Sequence, residues 1–256
     1  MPFETIAGED IFFSRSLAQT GRTFILVHGS GGDHTHWPDA LRASGMADVY
    51  GLDLPGHGHS GGRGRTSVEA YTDFVETFAK QLNLVRVTLF GHSLGGAVAL
   101  SLALRRPAWL DAIVLVGTGA RLRVAPDILE AILAFQPATL DLLTQYALGP
   151  DASQALVNQI RFGFAHTNPR VTHGDYLACD QFDMMQHVGQ ISLPALIVSA
   201  THDLLTPVKY GQYLHKHIPG SRFQIIEKAG HMMALEKPKD FLEGVAEFCR
   251  GSGQPI

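Results

Sequence analysis

The chain predicts a doubly wound α/β fold: a mostly parallel β-sheet covered by helices on both faces and interrupted once by a helical insertion. Three observations lead there. Short aliphatic runs alternate with stretches of helical periodicity along most of the 256 residues. Most of these runs are apolar at nearly every position, as strands covered on both faces require. Their spacing is that of successive β–α–β units, except for one long interval.

Taken in order, Thr23–Val27, Asp48–Leu52, Val85–Phe90, Ala112–Val116, Ala195–Ala200 and Phe223–Glu227 read as strands. Between the second and third, Val68, Tyr71, Val75, Phe78 and Leu82 recur at spacings of three and four, the stripe of a helix that faces a core. Thr66 and Glu69 form a capping-box pattern at its start. Near the end, Pro238 opens a helix that turns Phe241, Val245 and Phe248 inward. A β–α–β unit takes about 30 residues. The fourth and fifth strands are separated by about 80. Residues 119–190 are therefore expected to be a helical cap, with Leu129, Ile132 and Leu133 and then Leu140, Leu143 and Tyr146 at helical spacing. Residues 1–118 and 191–256 then form the core domain. The last six residues, GSGQPI, read as a frayed tail.

Composition bounds the function. With 45% hydrophobic residues the chain can fill one sizeable core. A formal net charge of −4 and the lack of any Lys/Arg run leave a nucleic-acid partner without electrostatic footing. No apolar stretch approaches the roughly 20 residues of a membrane span, so no membrane partner is expected. The first residues, MPFETIAGEDIFF, lack the basic start and apolar run of a signal peptide. Cys179 and Cys249 are far apart and in no ligand spacing, which suits two thiols in a reducing compartment. The expectation is a cytoplasmic protein.

The chemistry concentrates at Gly91-His92-Ser93-Leu94-Gly95, a G-x-S-x-G sequence that follows one strand and opens a helix. Such a sharp turn lifts the serine oxygen clear of the sheet. A serine hydroxyl needs a base to take its proton and a carboxylate to orient that base. His231 follows the last strand and Asp203 follows the one before it, at the strand ends where open α/β sheets carry their sites. The oxyanion of an attacked carbonyl needs preorganised N–H donors. Leu94 offers one, and the loop His28-Gly29-Ser30-Gly31-Gly32 the other, through Ser30 or else Gly31. Three His-x-His pairs, at 34/36, 57/59 and 215/217, find no third ligand at a convincing spacing. Neither metal nor cofactor is expected.

These motifs carry a resemblance. FILVHGSGG at 24–32, DLPGHGHS at 53–60, GHSLGG at 91–96, THDLLTP at 201–207 and AGHMMALEKP at 229–238 are similar to those of the α/β-hydrolase superfamily, in its capped esterase and carbon–carbon-bond hydrolase branch. The resemblance implies the α/β-hydrolase fold, with Ser93 as nucleophile, Asp203 as orienting acid, His231 as general base, and Ser30 and Leu94 as oxyanion donors. It implies a serine hydrolase acting on a small ester-type molecule through an acyl-enzyme. Thioesterase, lactonase, carbon–carbon hydrolase and cofactor-free perhydrolase reactions use the same constellation. Met232 after the histidine, where carbon–carbon hydrolases have tryptophan, favours an esterase. A non-catalytic ligand receptor is the alternative from another class. Leu129, Leu133, Phe135, Leu143, Tyr146, Phe162 and Phe164 are the cap's candidates for an apolar pocket.

Overall fold

A computed structural model describes residues 3–134 and 136–251. Its elements, in chain order, are β1 (Phe3–Ile6), β2 (Glu9–Ser16), β3 (Thr23–Val27), α1 (Asp39–Arg42), β4 (Asp48–Leu52), α2 (Val68–Gln81), β5 (Val87–His92), α3 (Leu94–Arg105) and β6 (Leu110–Val116). Then come α4 (Pro126–Ala134), α5 (Pro137–Ala147), α6 (Gln154–His166), α7 (Pro169–Gln181), β7 (Ala195–Ala200), α8 (Lys209–His217), β8 (Arg222–Ile226), α9 (Met233–Glu236) and α10 (Pro238–Gly251). The strands form one sheet in the order β1-β2-β4-β3-β5-β6-β7-β8. All pairings from β4 to β8 are parallel, and β1 and β2 join antiparallel at one edge.

The apolar strands are explained by where alternate side chains go. Ile25, Val27, Leu89, Ile113, Leu115 and Ile197 enter one core with Tyr71, Val75 and Phe78 of α2 and the apolar side chains of α3. Phe24, Leu26, Phe90, Val114, Val116, Leu196 and Val198 enter the other, with Phe241, Val245 and Phe248 of α10. Successive residues of a strand point to opposite faces, so a strand between two helical layers is apolar throughout. α3 lies deepest and is apolar almost all round, from Leu94 to Ala103.

The bounds of β5, β6 and β8 shift by one or two residues from the sequence reading, and further details add to it. The N-terminal hairpin β1–β2 was not foreseen. Its two-residue turn, Ala7-Gly8, has both φ values positive (52° and 81°), a conformation that Asn-Gly or Asp-Gly advertises and Ala-Gly does not. Helix α2 is capped by Ser67, whose Oγ accepts from Ala70 N at 3.2 Å, and so starts one residue later than a Thr66 cap would place it. Four helices, α4 to α7, fill the long interval between β6 and β7. Ile132, Leu140, Leu143, Ile160 and Phe164 form a small cluster there, while Ala178, Cys179 and Phe182 join the α2/α3 core. The inserted helices are thus rooted in the main body through α7.

The anticipated fraying at the C-terminus concerns residues 251–256, of which 252–256 lie outside the described residues. No described helix is long and apolar enough to cross a membrane. Cys179 and Cys249 are buried and form no disulfide.

Candidate active site

The strand order changes direction between β3 and β5, and a crevice opens at the carboxyl ends of those strands. Ser93 stands at this point, between the end of β5 and the first residue of α3. Its backbone is left-handed, with φ 53° and ψ −112°, a strained conformation for a non-glycine residue. Four bonds hold it: Ser93 N donates to Val116 O at 3.0 Å, while Ser93 O accepts from Gly96 N at 2.9 Å, Ala97 N at 3.2 Å and Thr118 Oγ1 at 2.8 Å. The flanking glycines are steric necessities. A Cβ on Gly91 would run into the Gly95 carbonyl, and one on Gly95 into the Val27 carbonyl.

His231 and Asp203 arrive from the loops after β8 and β7. Both are buried, at 4% and 3% exposure, and His231 Nδ1 lies 2.9 Å from Asp203 Oδ2. The carboxylate is further held by Leu205 N (2.9 Å) and Thr206 N (2.8 Å) on Oδ1, and by Thr206 Oγ1 (2.7 Å) on Oδ2. Burial alone would raise the Asp203 pKa, but the charge and hydrogen bond of His231 and the Thr206 donors outweigh it, bringing it down to about 2. With a carboxylate facing Nδ1, the imidazole carries its proton there and leaves Nε2 as the basic atom. Thr206 belongs to this constellation and was not singled out from the sequence, although it lies in the same THDLLTP stretch as Asp203.

The depressed carboxyl carries a stability consequence. A group whose folded pKa lies below its unfolded value contributes stability above the unfolded pKa, and that share disappears as pH falls through the folded one. The wild-type protein is therefore expected to lose about 2 kcal/mol from Asp203 between about pH 5 and pH 2. Chemical denaturation across that window should show the gap between wild type and Asp203→Asn closing with acid. A gap that stays constant would contradict the pairing.

The second wall of the crevice is the loop after β3. Gly32 N donates to Gly29 O at 3.1 Å, closing a turn with Ser30 and Gly31 at its centre. The sequence left two candidate N–H donors open here, and their hydrogen bonding differs. Gly31 N donates to Asp175 Oδ2 at 2.8 Å and is occupied. Ser30 N and Leu94 N take part in none of the hydrogen bonds among the described residues.

Gly29, Ser30, Ser93, Thr206 and His231 all line one cavity of about 100 Å³, closed on the other side by Ile128, Ala147, Phe164, Tyr176 and Cys179 of the inserted helices. Ser93 Oγ makes no hydrogen bond to a described residue. Its hydroxyl is a free rotor at the cavity wall, and contacts of this kind tighten when substrate is bound. Of the described residues among those proposed for the apolar pocket, only Phe164 lines it. Leu143 is buried in the small cluster beside it. Leu133 and Phe162 are exposed, because Ile128 and Ile132 on α4, and Ile160 and Phe164 on α6, take the inward face at i and i+4. Leu129 and Tyr146 are half-buried, and Phe135 lies outside the described residues.

Four of the six histidines of the His-x-His pairs have ring partners of their own. His34 Nδ1 pairs with Asp53 Oδ1 at 2.8 Å, His57 Nε2 with Asp175 Oδ2 at 2.8 Å, and His215 and His217 bond Ser221 Oγ and Tyr213 O. Asp33, His34 and Asp53 come close enough to share a cation. However, Asp53 already accepts from His34 N, His34 Nδ1 and His59 N, and Asp33 Oδ1 from Thr35 N and Oγ1. Hydrogen-bond donors thus already occupy part of the lone pairs of both carboxylates.

Residues 24–244 match the model of the alpha/beta hydrolase family. The chain belongs to that family. This hydrolase superposes on the structure of a thermophilic esterase with a TM-score of 0.86 at 36% identity, covering 98% of this chain and 97% of the other. It superposes on the enol-lactonase from Burkholderia xenovorans with a TM-score of 0.90 at 25% identity, covering 97% and 100%. It is also 29% identical to a pimeloyl-[acyl-carrier protein] methyl ester esterase of Neisseria meningitidis, over 90% of this chain and 97% of that one. The hydrolase is an enzyme of this family, and its fold is the α/β-hydrolase fold expected from its motifs.

Proposed function

We propose that the hydrolase cleaves a carboxylic ester of a small, largely apolar acid through an acyl-enzyme on Ser93. His231 Nε2 takes the serine proton as Ser93 Oγ attacks the carbonyl carbon, and Asp203 holds the imidazole and balances its charge. The Ser30 and Leu94 N–H groups receive the oxyanion. His231 then returns the proton to the departing alcohol, and water activated by the same histidine releases the acid. The observation that carries this reading is the buried Asp203–His231 pair, its carboxylate fully hydrogen-bonded and its histidine on the wall of the cavity that the strained Ser93 faces. The similarity to two esterases and a lactonase supports hydrolysis of ester-type bonds. We further read residues 119–190 as a cap that sets the acyl side of the pocket, and the protein as cytoplasmic, acting without cofactor, metal, nucleic acid or membrane.

The cavity decides the size of the acid. At about 100 Å³ it lies well below the roughly 300 Å³ at which drug-sized ligand pockets begin, and its inner wall is mostly aliphatic and aromatic, with Arg123 beside it. Each methylene buried there is worth about 0.8 kcal/mol, roughly fourfold in kcat/KM. Across p-nitrophenyl esters, kcat/KM is expected to rise from acetate, peak at a short acyl chain and fall once the chain outgrows the cavity. A thioester and a lactone series, measured beside it with Ser93→Ala as blank, tests the bond type. A flat acyl profile, or preference for a charged acid, would contradict the pocket assignment; faster lactone or thioester cleavage would correct the bond type.

A further inference from the structure

We infer that Asp175 and Thr167, both carried by the inserted helical segment, are positioning residues that clamp the Gly31 backbone and so seat the Ser30 N–H against the catalytic cavity. The inference rests on the ester-hydrolase reading and deepens it. Neither residue lies in any of the motifs that mark the site.

The clamp grips Gly31 from both sides. Its N–H donates to Asp175 Oδ2 at 2.8 Å, and its carbonyl accepts from Thr167 Oγ1 at 2.9 Å, the nearer of two acceptors for that hydroxyl. Gly31 has φ +65°, and with the Gly32 N to Gly29 O bond it completes a turn whose third residue is left-handed. Such a turn has a competitor in which the central peptide flips over. The Asp175 carboxylate opposes the flip, because it would bring the Ser30 carbonyl oxygen toward a negative charge in place of the Gly31 N–H. A Cβ at Gly31 would press on Thr172 and Phe164, so the loop and the inserted helices meet without slack.

Asp175 is itself fixed. It is completely buried on α7, and besides Gly31 N it accepts from His57 Nε2 at 2.8 Å and from Tyr71 Oη. Tyr71 Oη accepts from Arg65 N at 2.9 Å, and His57 Nδ1 donates to Pro55 O at 3.1 Å. Burial would lower the pKa of His57, but the charge and hydrogen bond of Asp175 raise it, and both ring nitrogens face oxygen acceptors. A carboxylate taken out of water persists only with such a set of donors, and a complete set is rigid. One buried group thus ties α2, the His57 loop, α7 and the oxyanion loop to a common point.

The test compares Thr167→Val and Asp175→Asn with wild type by kcat and KM on the best p-nitrophenyl ester. Inhibition by an alkyl boronic acid, which forms a tetrahedral adduct on an activated serine, thermal stability, and amide exchange at Gly31 complete it. Loosening an oxyanion donor weakens the transition state more than the bound substrate. Thr167→Val is expected to lower kcat by about 3–10-fold and Asp175→Asn by about 10–100-fold, with KM within about twofold. Boronate affinity should fall by the same factor as kcat, and Gly31 should exchange faster. A purely structural role would lower the melting temperature and leave kcat and boronate affinity unchanged, which would overturn the inference. So would unchanged Gly31 exchange in Thr167→Val, the variant that decides alone if Asp175→Asn does not fold. Failure of the underlying reading looks different: the wild-type protein itself would then turn over no ester.

Discussion

Ser93→Ala is expected to abolish ester turnover, lowering kcat by about six orders of magnitude, while the protein folds and melts as before. The magnitude follows from the unit behaviour of a nucleophile and its base, in which loss of either leaves only the binding and oxyanion contributions. The intact fold follows from the structure. The bonds that hold the elbow use the Ser93 backbone, and a Cβ is already present at that left-handed position. Alanine therefore removes one oxygen at the cavity wall and little else. Purified variant and wild type, compared by p-nitrophenyl ester hydrolysis and circular dichroism, read both halves of the expectation. Turnover kept within about tenfold of wild type would mean that another group attacks the ester.

The second large effect is expected at Asp203. Asp203→Asn should lower kcat by about four orders of magnitude, with KM little changed. The residue accepts four hydrogen bonds, from Leu205 N, Thr206 N, Thr206 Oγ1 and His231 Nδ1. An amide that keeps its oxygen toward the two backbone N–H donors presents its NH2 to His231. The imidazole then accepts through Nδ1 and carries its proton on Nε2, where it cannot take another from Ser93. The variant should still fold, since three of the four donors belong to its own loop. A rate within about tenfold of wild type would assign the orienting role elsewhere.

The sequence exposed most of the fold because the physics of buried parallel strands is local. Thr23–Val27, Asp48–Leu52 and Ala195–Ala200 match their strands residue for residue, and their apolar runs are those of strands buried on both faces. β1 and β2 escaped because the hairpin is half exposed and its Ala-Gly turn lacks the usual signal. An alternation was nonetheless present, with Ile11 and Phe13 buried between more exposed neighbours. The site divides in the same way. Ser93, Asp203 and His231 sit in motifs whose glycines, strand ends and chain order are constrained together. Asp175 sits in PRVTHGDYLACDQ, where nothing local separates it from an ordinary helical acid. Its burial depends on His57, Tyr71 and Gly31, each more than 100 residues away. The inner face of the insertion was misread for a related reason. Helical spacing groups Leu129 with Leu133 as readily as Ile128 with Ile132, and only the packing of α4 chooses between them.

Covalent capture tests the central claim most directly. A p-nitrophenyl alkylphosphonate places a tetrahedral phosphorus where the attacked carbon would lie, and it reacts with a serine only when a base and an oxyanion site act on it together. Peptide mass spectrometry of the inactivated protein should find one phosphonyl group, on Ser93, formed in step with the loss of esterase activity and absent from Ser93→Ala. An adduct on any other residue, or full activity in a protein that has taken up the label at Ser93, would contradict the account.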